Sequence, residues 1–123
     1  MLIEGKPKVD IQAANVGGVT VLEIRGRVDS LTAPSLGEKL TGAMAAPNPR
    51  LIADMSGVDY LSSAGLRVLL LAARQAEQTQ GMLVLHGLTS RVGEVFEISG
   101  FSSILTICVT RDEALALTGS ARA

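Results

Sequence analysis

The sequence predicts an α/β domain built on a mostly parallel sheet. Three observations carry that prediction. Short apolar runs too brief for helices, such as Leu51-Ile52-Ala53 and Met82-Leu83-Val84-Leu85, read as strands buried on both faces. Amphipathic segments alternate with them, and that alternation calls for crossover helices. A glycine turn near the N-terminus joins two strand-like runs, which adds an antiparallel hairpin. The length of 123 residues fits one domain with a real core.

The elements follow in order. Val9 to Ala14 is the first strand, Asn15 to Gly18 a turn, and Val19 to Arg25 the second strand. Gly26 to Ser30 breaks the pattern. Ala33, Leu36, Leu40 and Met44 then fall at helical spacing, with Thr32 or Ser30 as cap and Pro34 in the first turn. Pro47 and Pro49 end that helix. Leu51 begins a strand that ends at Asp54, and a short loop follows. Ser62 or Ser63 opens the longest helix, which runs to about Gln80. Its apolar stripe is Leu66, Leu69, Leu70 and Ala73, and Gly81 stops it. After the strand Met82–Leu85, Ser90 caps a short helix carrying Val92, Val95, Phe96 and Ile98. Gly100 takes the left-handed position after it, with Phe101 packing back. Ile104 to Val109 forms the last strand, its core at Ile107–Val109. Thr110 caps a final helix with Ala114, Leu115 and Leu117. The order is β-β-α-β-α-β-α-β-α, with about four helices. The expected division is a tail over 1–8, a domain over 9–118 and a second tail over 119–123.

Composition narrows the function classes. Eleven Lys and Arg against twelve Asp and Glu leave a net charge of −1, so nothing draws the chain to nucleic acid or an anionic membrane. Three aromatic residues, Tyr60, Phe96 and Phe101, are too few for a base-stacking platform. The single Cys108 excludes an internal disulfide and a cysteine-rich zinc site, and the scarce histidine and cysteine ligands predict no metal and no cofactor. The run Val68 to Ala73 is far short of the ~20 apolar residues of a membrane span. Met1 to Pro7 lacks the pattern of an export signal, so a cytoplasmic location is expected. Catalytic equipment is sparse. His86 is the one histidine, and no phosphate loop or nucleophile elbow is present, so the chain is not expected to be an enzyme.

One stretch does carry chemical potential. Asp54 to Leu66 places a carboxylate at a strand end and two hydroxyls, Ser62 and Ser63, at a helix start. Function gathers beyond the carboxyl ends of strands in open α/β sheets. A helix N-terminus also tolerates an added phosphate, because its free N–H groups and dipole favour negative charge. The plainer reading is an ordinary N-cap serine. On the long helix, Arg67, Leu71, Arg74 and Gln78 share one narrow face opposite the apolar stripe. Leu71 there is either part of a partner surface, with Arg67 and Arg74 beside it, or the edge of the core.

The segment Asp54 to Leu70 resembles the signature of the STAS domain family, and in particular its bacterial anti-sigma factor antagonists. Asp54, Ser56, Val58, Tyr60, Leu61, Ser63, Gly65 and Leu66 carry the match. Gly26-Arg27-Val28-Asp29 with Thr32, Ala33 and Leu36 is a second matching patch, and Val95 to Phe101 with Glu113-Ala114-Leu115 a third. Together they span nearly the whole chain. The resemblance implies partner switching. The unphosphorylated protein binds an anti-sigma factor that is also a serine kinase, phosphorylation of one serine releases it, and a phosphatase resets the cycle. By motif position the acceptor is Ser63, with Ser62 the second choice, since many relatives carry Asp where this chain has Ser62. Asp54 is implied to lie below the helix start, within reach of a loop N–H or serine hydroxyl, and Asp29 to face the same rim. Two other readings remain open at this point: a STAS adaptor or subunit of a transporter or stress-signalling assembly, and a small hydrolase using Ser63 and His86.

Overall fold

The computed structural model describes residues 9–119; the two tails, apart from Gly119, lie outside that range. The elements are β1 (Val9–Val16), β2 (Val19–Val28), α1 (Ala33–Ala43), β3 (Arg50–Leu61), α2 (Ser63–Gln78), β4 (Met82–His86), α3 (Ser90–Ser99), a 3-10 turn (Phe101–Ser103), β5 (Thr106–Cys108) and α4 (Arg111–Thr118). The five strands lie side by side in sequence order. β1 pairs antiparallel with β2, and every later pairing is parallel. The predicted fold class, hairpin and helix number are therefore observed.

Helices pack on both faces of the sheet, unequally. Leu22, Ile24, Leu51, Ala53, Met55, Leu83 and Leu85 point to one face, where Leu36 and Leu40 of α1, Leu66 and Leu69 of α2 and Phe96 of α3 cover them. Each such side chain contributes roughly 1.5–3 kcal/mol on leaving water. The other face is smaller: Val19, Val21, Ile52 and Val84 lie beneath Ala114 and Leu115 of α4. The alternation of side chains along β2, β3 and β4 divides the residues between these two cores.

Two strands outrun their expected ends. β2 continues past Gly26 to Val28, and β3 continues past Asp54 to Leu61. Their pairing slips between Glu23 and Arg25 and again between Gly26 and Arg27, each slip adding one residue on β3. Gly26, at φ +105°, lies at the second of these β3 bulges and is not the end of β2. The loop expected after Asp54 is therefore paired strand, and the rim moves outward to Val28 and Leu61, which lie opposite one another. β5 is shorter than expected, because Ile104 follows a 3-10 turn and Val109 projects into solvent.

The caps also differ in detail. Thr32 stands at the start of α1, but its hydroxyl makes no cap bond to that helix. It donates backward to the Arg27 carbonyl at 2.7 Å. Thr89, not Ser90, caps α3 by accepting from Val92 N–H. Thr110 caps α4 as expected, in a reciprocal capping box with Glu113. α2 ends at Gln78 with Thr79 as its C-cap, and the left-handed residue after them is Gln80 at φ +61°. Gly81 serves a different purpose: a Cβ there would lie 2.3 Å from the Pro49 carbonyl.

Candidate functional site

The site is the rim where β2 and β3 end and α2 begins. Val28 and Leu61 are register partners, and the Ser62 N–H donates to the Val28 carbonyl at 2.8 Å. That bond fixes the first turn of α2 against the end of β2. Gly65 permits the approach, since a Cβ on it would meet Val28 Cγ1 at 2.6 Å and Leu61 Cδ1 at 2.7 Å.

The two serines occupy different environments. Ser62 is the N-cap; its backbone is extended and its Oγ accepts from Gly65 N–H at 3.2 Å. It is half-buried. Ser63 is the first helical residue, exposed, and its hydroxyl has no hydrogen-bond partner among the described residues. The alternatives left by the sequence are thus divided: Ser62 caps, and Ser63 presents a free hydroxyl at a helix N-terminus.

Asp29 lies at the same rim, one residue beyond Val28. Its Oδ1 accepts from Leu31 N–H at 2.9 Å and Thr32 N–H at 3.1 Å, and its own N–H donates to Thr32 Oγ1 at 2.9 Å. Desolvation works to raise this carboxyl, but the bonds from Thr32 and Leu31 and the nearby Arg27 outweigh it and hold the group below its ordinary value of 3.8. These bonds shape a tight turn that leaves Leu31 71% exposed. Arg27 extends the rim. Its guanidinium lies 4.2 Å from the Tyr60 ring centroid and 3.5 Å from Asp29 Oδ2. Leu31, Arg27 and Tyr60 were not singled out as rim residues by the sequence. The signal available was a leucine inside a polar turn directly after a Gly-x-x-Asp sequence.

Asp54 is placed elsewhere. Six residues of β3 separate it from Leu61, roughly 20 Å of extended chain, so its carboxylate does not reach Ser62 or Ser63. It does bind an N–H and a serine hydroxyl, but both belong to Ser56, at 3.0 and 2.7 Å. Partial burial pushes this carboxyl up; the two Ser56 bonds and the positive fields of His86 and Arg111 prevail and lower it below 3.8. Glu23, Asp54, His86 and Cys108 are register neighbours across four strands. They form a polar row on the α4 face, where Arg111 stands 3.5 Å from Glu23. His86 is buried in that row, its Nε2 3.8 Å from Asp54 Oδ1. It is level with Asp54 and is not brought to Ser63, so the pair needed by a Ser63–His86 hydrolase does not form.

The outer face of α2 runs away from Ser63. Arg67 and Arg74 are exposed, and Leu71 is 53% exposed. Leu66 and Leu69 point inward, as the helical stripe requires. Beside Ser63, a shallow apolar groove of about 510 Å³ separates the start of α2 from Ser99 and Phe101, with Leu66, Arg67 and Leu70 on its α2 wall. No helix is long and apolar enough to cross a membrane among the described residues.

Known proteins resemble this chain in sequence and fold. The STAS domain family model matches residues 10–114. BtrV of Bordetella bronchiseptica, named as a candidate anti-sigma factor antagonist, is 43% identical over 101 residues, covering 82% of this chain and 87% of its own. The anti-sigma-B factor antagonist of Listeria monocytogenes is 37% identical over 84 residues, covering 68% of this chain and 74% of its own. The crystal structure of an anti-sigma factor antagonist from Mycobacterium paratuberculosis superposes with a TM-score of 0.78 at 26% identity, over 91% of this chain and 95% of that one. With the family pattern running through β1 to α4, and the same fold in a solved antagonist, the chain belongs to the STAS domain family and is similar to its anti-sigma factor antagonists.

Proposed function

We propose that this protein is a phosphorylation-controlled regulator that sequesters an anti-sigma factor with serine-kinase activity, and that Ser63 is the phosphoacceptor. The observation that carries the reading is the contrast at the start of α2. The Ser62 hydroxyl is engaged in capping, whereas the adjacent Ser63 hydroxyl is exposed and unengaged. A kinase can reach Ser63 without dismantling the cap.

The physics of the switch follows from position. A phosphate on Ser63 adds a charge of about −1.5 to −2 and three acceptor oxygens. The helix N-terminus favours that charge by about 0.3–1 kcal/mol, so the fold survives. A bound partner must desolvate the phosphate or be held away by it, so binding does not. Asp29 acts as a support by fixing the turn that borders Ser62, and Asp54 by fixing β3 through Ser56. Arg67, Leu71 and Arg74 form the partner surface that continues from Ser63 down α2. A phosphatase restores the binding form, and the cycle runs in the cytoplasm without catalysis by this chain.

The test is phosphorylation by the cognate anti-sigma kinase with ATP, read by intact mass and peptide mapping. One phosphate on Ser63, lost in Ser63→Ala, is expected. The phosphorylated protein and Ser63→Asp should bind the kinase far less tightly; a loss of 3 kcal/mol is roughly a hundredfold in affinity. Full binding by stoichiometrically Ser63-phosphorylated protein ends the proposal.

A further inference from the structure

We infer that Arg67 is the clamp of the phosphorylated state: once Ser63 carries a phosphate, the Arg67 guanidinium closes onto it and is withdrawn from the surface offered to the partner. The inference rests on Ser63 as the acceptor and adds a second residue to that switch. Ser63 and Arg67 lie four residues apart at the start of α2, and both are exposed. They line the same groove, in which Arg67 is the one charged side chain among the described residues. Four residues rise about 6 Å along a helix, and positions i and i+4 stack on one face with Cβ atoms roughly 5–6 Å apart. Helical side chains lean toward the N-terminus, so Arg67 leans toward Ser63.

Nothing in the unmodified chain occupies this arginine. Arg67 makes no ion pair, hydrogen bond or ring contact among the described residues. Its helical neighbours explain why. Ala64, Leu70 and Leu71 stand at i−3, i+3 and i+4, and none of them takes a charge. Ser63 stands at i−4, and it does so once phosphorylated. The other arginines nearby are differently disposed. Arg27 at the rim is held by Asp29 and the Tyr60 ring. Arg74 lies eleven residues beyond Ser63, with Glu77 three residues further on; its distance from Ser63 is about 16 Å along the helix.

The chemistry of the contact follows. A phosphate monoester presents three oxygens, and the planar fork of a guanidinium matches two of them. The free N–H groups of the helix N-terminus favour the phosphate from one side, and Arg67 closes over it from the next turn. Across the groove, Ser99 and Phe101 bring no competing carboxylate, and the Ser99 hydroxyl donates to the Phe96 carbonyl at 3.0 Å. The consequence reaches the partner. In the unmodified protein Arg67 is a free cation for an acidic group on the partner; in the phosphorylated protein that charge is neutralised in place. Phosphorylation therefore removes an attraction as well as adding a repulsion.

The experiment uses the full chain with phosphoserine incorporated at position 63 during synthesis, so that the position of the phosphate depends on no kinase. ³¹P NMR follows its second ionisation. Arg67→Gln is expected to raise that pKa by about 0.3 or more. Arg67→Lys, which keeps the charge without the fork, should fall between, and Arg74→Gln should leave the value in place. The second readout is affinity for the purified anti-sigma kinase. The loss caused by the phosphoserine should be at least about threefold smaller in Arg67→Gln than in wild type, because the variant has no cation to withdraw. An unchanged phosphate pKa in Arg67→Gln, or an equal change in Arg74→Gln, would overturn the clamp. Equal affinity losses in wild type and Arg67→Gln would overturn the withdrawal from the partner surface. Peptide mapping of kinase-treated protein to a different serine would instead overturn the acceptor assignment, so the two failures are distinguishable.

Discussion

Ser62 and Ser63 are chemically identical neighbours in different settings, one capping and one exposed, and mutation separates them. Ser62→Ala removes the acceptor for Gly65 N–H and should lower stability by about 1 kcal/mol. Ser63→Ala breaks no bond and should stay within about 0.5 kcal/mol of wild type. Chemical denaturation of both variants checks the assignment, and a larger loss at Ser63 would contradict it. The carboxylates make a pH-dependent prediction. Asp54 and Asp29 are both held below 3.8 in the folded protein. A lowered carboxyl stabilises the fold above its unfolded value, and that contribution fades as pH falls through the folded value. Stability should therefore drop below about pH 4. Asp54→Asn keeps an acceptor for the Ser56 N–H but loses the charge, so it should cost on the order of 1 kcal/mol at pH 7. The gap from wild type should close as pH falls through the lowered folded value of Asp54, below which both side chains are neutral. A gap that stays constant with pH would show that packing, not charge, is responsible. The sequence pointed to the serines because residue type and helix start coincide there. It misplaced Asp54 relative to them because the distance from a strand residue to a helix depends on where the strand ends.

At the scale of elements, legibility followed local physics. The helices were readable because apolar spacing at Leu36, Leu40, Leu66 and Leu69 matches one buried face. The hairpin was readable because Gly17 and Gly18 both take positive φ between Val16 and Val19. The ends of β2 and β3 were not, since Gly26 and the Ser56-Gly57 pair look like breaks in a linear pattern. In space they are bulges carried by a neighbouring strand, and that pairing is a tertiary fact. The end of α2 shows the same division. Gly81 reads as a left-handed stop, yet Gln80 occupies that conformation, and Gly81 is needed for its contact with Pro49. Gly81→Ala should therefore destabilise by about 1–3 kcal/mol through overpacking against the Pro49 carbonyl. Gln80→Gly should be neutral or stabilising by up to about 1 kcal/mol, through relief of the left-handed penalty. Thermal melts of the two variants distinguish these roles; the reverse ranking would restore the simple helix-stop reading.

Across the whole molecule, the three-helix face supplies most of the core and the rim supplies most of the exposed chemistry. Phe96, Leu69 and Met55 are fully buried beneath α1, α2 and α3, while Ser63, Leu31, Arg67 and Leu71 lie at or near the surface of the same layer. A phosphate or a partner can act on that surface without disturbing the packing below it, as a reversible switch requires. α2 carries both functions on opposite sides, and two of its leucines test the separation. Leu69 is fully buried, and Leu69→Ala should cost about 2–5 kcal/mol through lost transfer energy and a cavity. Leu71 is 53% exposed, so Leu71→Ala should stay within about 0.5 kcal/mol of wild type. Partner affinity should show the opposite ranking, measured at a temperature where both variants remain folded: Leu71→Ala weakens binding, because an apolar anchor is lost from the contact, and Leu69→Ala leaves it nearly unchanged. If Leu71→Ala unfolds the protein as readily as Leu69→Ala, Leu71 belongs to the core. If both fold and bind normally, the outer face of α2 is not part of the partner surface, and contact is confined to the rim around Ser63, Asp29 and Leu31.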